Sequence, residues 1–227
     1  MSVAAVQSFY SRWAHLYDLL ATAPGVTAWR RRAVDALDLA PGDTVVEMGC
    51  GTGANLPYLR DAVGPEGTVL GVDLAPGATS HARERIARNG WANVHVALAD
   101  ATRPPVTGPV DAVLGTFVVG MFEEPAAVVA DWSDLCAGRV ALLNFQRSEA
   151  LPAQPLNLAF EAFVWLSSPG RSLATESPAA ALDRRVSAAR EVLTARATDR
   201  RYETFAGGYL GLLSGSVGPA TAGTTTD

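Results

Sequence analysis

The chain has no lysine: all 18 of its basic residues are arginine. The absence excludes the Tyr-x-x-x-Lys pair on which one class of nicotinamide enzymes relies, and otherwise it reads as compositional bias. Cysteine is nearly absent too. Cys50 and Cys136 show no C-x-x-C spacing, so neither a disulfide framework nor a zinc site is indicated, and a reducing cytosol is the expected setting. An excess of positive charge is also missing. The formal net charge is -5 and the isoelectric point about 5.2, which leaves no basic footprint for nucleic acid. The run Arg30-Arg31-Arg32 reads as a solvated helix face. No apolar run reaches the ~18 residues that a membrane-spanning helix needs. The first residues do not follow the basic-then-apolar order of a secretory signal. A cytoplasmic protein is the expectation.

What the chain does have is hydrophobic residues, at 48%, enough to bury the core of one domain. It also has an unusual turn. The β-branched run Thr44-Val45-Val46 follows the turn signal Pro41-Gly42-Asp43 and leads into Glu47-Met48-Gly49-Cys50-Gly51-Thr52-Gly53. Alternate glycines let a main chain turn sharply and approach a ligand with no Cβ in the way. Ala54 to Arg60 then reads as the start of a helix, so strand, glycine turn and helix follow in the order of a nucleotide-binding unit.

Further apolar runs recur at Thr68 to Leu74, Val94 to Ala99, Asp111 to Phe117 and Arg139 to Phe145. Between them, Ala78 to Arg88 and Pro125 to Leu135 have the spacing of amphipathic helices. This alternation predicts a doubly wound α/β fold, a mostly parallel sheet with helices on both faces. Ala197 to Phe205 and Tyr209 to Leu213 form a hairpin across Gly207-Gly208, which brings the strands to seven. Pro178 to Val192 reads as a helix, and Leu151 to Ser168 as a buried helix or the wall of an apolar pocket. The stretch Val3 to Leu20 carries Phe9, Tyr10, Trp13, His15 and Tyr17 and suggests a helical lid. Residues 214–227, rich in Gly, Ser, Thr and Ala, are expected to be mobile.

In such a sheet, ligands bind beyond the carboxyl ends of the strands. The candidate residues are therefore Glu47 to Gly53, Asp73 with Leu74, Asp100 with Ala101, and Thr116. The glycines alone leave the cofactor open. Gly49 to Ala54 also satisfies a loose GxGxxA dinucleotide fingerprint, and an acid ending the second strand binds ribose hydroxyls in either case.

Together, the motifs resemble the class I S-adenosylmethionine-dependent methyltransferases, from about Tyr10 to Phe145. Val45 to Gly53 matches the first motif of that family, Val69 to Leu74 the second, Val96 to Ala101 the third, and Asp111 to Phe117 loosely the fourth. The turn before strand five departs from the pattern, because Asp134 to Arg139 keeps one glycine where many relatives have two. Within the family, Tyr17-Asp18 and Trp29-Arg30-Arg31 look most like the branch that methylates quinone precursors and phospholipid amines.

The resemblance implies S-adenosylmethionine as cofactor, and a role for each matched residue. Gly49, Gly51 and Gly53 pass under its methionine part, and Glu47 helps to orient the amino-acid end. Asp73 and Leu74 hold the ribose side, Asp100 and Ala101 meet the adenine, and Thr116 borders the methyl donor. The implied acceptor is a small, apolar molecule such as a quinol, phenol or lipid amine, with peripheral membrane contact if it is a lipid. Methyl transfer is an in-line displacement, which requires no metal and needs a base only where the acceptor loses a proton. His15 is the histidine placed to act as that base, with Tyr10 and Tyr17 beside the acceptor, while His81 and His95 read as surface or structural residues. The expected single domain spans 1–213: a lid and entry helix (1–40), a cofactor-binding core (44–145), and a substrate-side insertion with the terminal strands (146–213). Two rival readings stand beside this one, an NAD(P)-dependent oxidoreductase and a non-catalytic cofactor-sensing or partner-binding module.

Overall fold

The computed structural model describes residues 24–149, 156–167 and 177–218. The stretch Val3 to Leu20 read as a lid, with Tyr10, His15 and Tyr17, lies outside them. In chain order the elements are α1 (Pro24–Asp35), β1 (Thr44–Met48), α2 (Leu56–Val63), β2 (Thr68–Asp73), α3 (Pro76–Asn89), β3 (Val94–Leu98), β4 (Val110–Thr116), α4 (Pro125–Leu135), β5 (Cys136–Phe145), α5 (Asn157–Ser167), α6 (Pro178–Arg196), β6 (Thr198–Phe205) and β7 (Leu210–Ser216).

The seven strands form one sheet in the order β3-β2-β1-β4-β5-β7-β6. Strands β1 to β5 are mutually parallel, and β7 runs antiparallel to both β5 and β6. Burial explains which sequences occupy which places. Central strands are covered on both faces, so they are mostly apolar: Val45, Val46 and Met48 of β1 and Ala112, Val113 and Leu114 of β4 are buried, with Glu47 and Thr116 the buried polar exceptions. The edge strand β6, Thr-Asp-Arg-Arg-Tyr-Glu-Thr-Phe, is exposed nearly throughout. Its charges discourage pairing with another chain. Two cores result. One packs α4 and α6 against the sheet through Val129, Trp132, Val186 and Leu193. The other packs α1, α2 and α3 against the opposite face through Val34, Leu59 and Ala82.

The doubly wound fold and the terminal hairpin are as the sequence predicts. Two boundaries are corrected. β7 continues to Ser216, with Ser214 opposite Ala141 and Arg201, so the mobile tail does not begin at 214. Small residues there are a packing requirement: a Cβ on Gly215 would come within 2.6 Å of the Ala197 Cβ. Helix α6 also runs on past Val192 to Arg196, because Leu193 is needed in the core. Within the stretch read as a buried helix or pocket wall, Asn157–Ser167 is a helix that buries Phe160 and Val164 against Ala179 and leaves Leu158 exposed, so it is only partly buried, while 151–155 and 168 lie outside the described residues. Among the described residues, no helix is long and apolar enough to cross a membrane.

Candidate active site

The turn after β1 carries the site. Gly49, Gly51 and Gly53 have φ of 74°, 55° and 77°, a left-handed backbone that side chains strongly disfavour. The outer two glycines are also packing positions: a Cβ would meet Val118 at Gly49 and Leu56 at Gly53, each at 2.6 Å. Gly51 is different, with nothing within 4 Å of where its Cβ would stand. Its open side faces a cavity of about 730 Å³, well within the size range of small-ligand sites.

Asp73, at the end of β2, fixes the turn. One carboxylate oxygen accepts from the Gly51 N–H at 2.8 Å and the other from the Ala75 N–H at 2.9 Å. Burial raises the Asp73 pKa, opposed by these backbone hydrogen bonds. The Leu74 N–H is a third backbone partner, and a carboxylate with three donors still has acceptor capacity for a ligand.

Glu47 lies deeper. It is 1% exposed and stands behind the cavity wall, which Arg30 and Thr116 line. Its Oε1 accepts from Asn55 Nδ2 at 2.5 Å, while Oε2 is buried with no hydrogen-bond partner. Desolvation by burial pushes its pKa up to about 7, against the lowering effects of Asn55 and of the Arg30 charge.

Two residues of this network were not expected. Asn55 is fully buried and stands at the N-cap of α2, but its side chain makes no capping bond. Its amide nitrogen instead serves Glu47 and Thr116 Oγ1 (3.1 Å), and its oxygen accepts from Arg30 Nη1 at 2.9 Å. Asn before a helix normally signals a cap, which hides this role in the sequence. Arg30 corrects the reading of 30–32 as a solvated face: Arg31 and Arg32 are exposed, while Arg30 is 9% exposed and stands over the Phe117 ring at 5.9 Å.

The remaining expected cofactor residues converge on the same cavity. Leu74, Asp100, Ala101 and Thr116 line it, joined by Phe117, Val118, Met121 and Phe122 from the segment after β4. Asp100 is exposed, and its Oδ1 accepts from the Thr102 N–H at 2.8 Å. The Ala101 carbonyl is taken by the Trp132 indole at 2.8 Å, which pins the loop after β3 to α4. His81 and His95 are exposed and stand outside the cavity.

Fold and site together define an α/β protein with a nucleotide-cofactor cradle at its strand ends. A family model described as a methyltransferase domain matches residues 45–137. Aklanonic acid methyltransferase DauC of Streptomyces sp. (strain C5) is 32% identical over 121 residues, covering 52% of this chain and 55% of that protein. The chain thus spans about half the length of that relative. A phosphatidylethanolamine N-methyltransferase of Cereibacter sphaeroides is 30% identical over 169 residues, covering 72% of this chain and 79% of that protein. Among solved structures, magnesium protoporphyrin IX methyltransferase of Synechocystis PCC 6803 with bound SAH aligns at a TM-score of 0.61 and 17% identity, covering 95% of this chain and 100% of that one. The chain belongs to the S-adenosylmethionine-dependent methyltransferase family.

The cradle fits that cofactor. An open face over Gly51 and remaining acceptor capacity on Asp73 supply a surface and hydroxyl acceptors, and Glu47, behind the wall with one buried oxygen unpartnered, supplies a negative charge above its pKa of about 7.

Proposed function

We propose that the protein transfers a methyl group from S-adenosylmethionine to a small, largely apolar acceptor. The observation that carries this reading is the Gly51 main chain, left-handed, tied to Asp73 and open to the cavity. Bound there, the cofactor supplies an electrophilic methyl group on a sulfonium. The chain's own residues bind and align. Gly49, Gly51 and Gly53 pass beneath the amino-acid end, and Arg30 takes its carboxylate while Glu47, through its neighbours, balances the ammonium. Asp73 and Leu74 border the ribose, Asp100 and Ala101 the adenine, and Thr116 the methyl group. Holding donor and acceptor in line is worth up to ~7–11 kcal/mol of the barrier, so no covalent nucleophile is required.

The apolar acceptor is supported by Phe117, Val118, Met121 and Phe122 in the wall. The two curated relatives lend it support, since by name they methylate aklanonic acid and phosphatidylethanolamine. Where such an acceptor loses a proton, His15 is the proposed base, with Tyr10 and Tyr17 beside the acceptor. The nicotinamide reading is not favoured, because β7 enters the sheet antiparallel between β5 and β6, whereas the dinucleotide fold continues in parallel order.

Calorimetry with S-adenosylmethionine and S-adenosylhomocysteine tests the cradle, and mass spectrometry of acceptor mixtures for products heavier by one methyl group tests the transfer. Absence of binding, or undiminished binding by Asp73→Ala, rejects the reading. Binding without any methylated product supports the non-catalytic module instead.

A further inference from the structure

A second cavity, of about 1170 Å³, opens beside the ends of β5 and β6 against α6 and shares no lining residue with the cofactor cavity. Its wall includes Arg190 of α6, whose guanidinium stands over the Tyr202 ring at 5.1 Å. Tyr202 Oη donates to Gln146 Oε1 at 2.9 Å, and Gln146 Nε2 donates to the Gly208 carbonyl at 2.9 Å. These side chains therefore form a stack between helix and sheet. Gly211 of β7 is its floor. A Cβ there would run into Arg190 Nη2 and Gln146 Oε1, so this strand glycine marks a close approach of polar groups rather than a weak strand.

The cations of this cavity are unequal. Arg147 is engaged by Asp183 and Glu161. Arg190 makes no ion pair among the described residues, and its Nε and Nη2 are buried without hydrogen-bond partners. Burial lowers its pKa, with Tyr202 and Asp183 acting in the opposite direction. Nε and Nη2 together form one edge of the guanidinium plane, the edge that accepts two oxygens of one anion in parallel hydrogen bonds.

We propose that this cavity binds the oxyanion group of a small molecule, a carboxylate or a phosphate, gripped side-on by Nε and Nη2 of Arg190. Because that edge is buried against Gly211, binding requires the guanidinium to turn off the Tyr202 ring and present it to the cavity. Gln146, Tyr202 and Gly211 are positioning residues that hold the stack. The site stands or falls by binding alone, independently of methyl transfer.

The probes are sodium benzoate and inorganic phosphate, with sodium chloride at matched ionic strength as control and S-adenosylhomocysteine binding measured in parallel. Either anion raises the melting temperature of the wild-type protein, benzoate alone assigning the site to carboxylic acids and phosphate alone to phosphate esters. Arg190→Gln weakens anion binding about tenfold or more, the loss of charge-assisted hydrogen bonds, and leaves S-adenosylhomocysteine affinity unchanged. Arg190→Lys fails to restore it, because an ammonium has no two-donor edge. Should the variants fail to fold, the arginine Nε–H resonance of Arg190 in the wild-type protein shifts on titration with the effective probe. No anion effect beyond that of chloride, an equal effect in Arg190→Gln, or an unmoved Arg190 resonance overturns the proposal.

Discussion

The two cavities of this molecule are built from different material. Around the glycine turn, the main chain itself shapes the surface, and acids at the ends of β2 and β3 stand where neighbouring parallel strands must bring them. Beside α6, long polar side chains from distant segments stack over a strand glycine. A backbone cradle is rigid and local, so one substitution in it removes binding. A side-chain cavity is assembled by tertiary packing, so its residues are separable and its ligand need not be a nucleotide.

The largest expected effect comes from Gly51→Val. Its Cβ has no protein atom within 4 Å and its branched side chain fills the cradle, so calorimetry should show cofactor affinity down by about a hundredfold, or ~3 kcal/mol. Holding valine at φ near 55° costs about 1–3 kcal/mol of stability, so the protein should remain folded. Gly49→Val behaves differently, because its side chain strikes Val118, and it should lose stability and binding together. Retained affinity in Gly51→Val would mean that the turn does not face the cofactor.

Asp73→Asn is next in size. The amide leaves one of the Gly51 and Ala75 N–H groups facing another donor, a conflict of about 1–3 kcal/mol. Denaturant titration and calorimetry should both register it, with binding losing more because the ribose acceptor is weakened as well. Equal losses in the free and cofactor-bound states would leave Asp73 only a structural brace.

This contrast also explains what the sequence reveals. The meeting of Gly49, Gly51, Asp73 and Asp100 at one cavity was legible because it follows from position at a strand end, which local spacing records. Arg30 and Asn55 were not, since a run of three arginines does not say which one turns inward, and an asparagine before a helix looks like a cap. Ser214 to Ser216 resembled a tail because small residues serve loops and tightly packed strands alike. The Arg190 stack was beyond reach: residues 146, 190, 202 and 211 meet only once β6 and β7 have folded onto β5.

A pH dependence comes from Glu47. Its pKa in the folded protein is about 7, against 4.5 for a solvated glutamate, so between those values the folded chain holds a proton that the unfolded chain has lost. Stability therefore falls as pH rises through this window and levels off above about pH 7. Urea midpoints across the window should show the decline in wild type and a flatter profile in Glu47→Gln. Cofactor affinity should run the opposite way, rising with pH as the carboxylate forms beneath a cationic ligand. Identical profiles for the two proteins would place the titration elsewhere.

The smallest effect tests whether the cavities are independent. Tyr202→Phe removes one hydrogen bond, to Gln146 Oε1, from a side chain that is 52% exposed. A partly solvated bond of this kind is worth about 0.5–1 kcal/mol. The ring remains under Arg190, and Gln146 keeps its bond to the Gly208 carbonyl, so the stack loosens without collapsing. Because no residue of this stack lines the cofactor cavity, affinity for S-adenosylhomocysteine should be unchanged, while anion binding weakens slightly. A matching loss at both sites would show that α6, which contributes Arg185 to one cavity and Arg190 to the other, couples them as one unit.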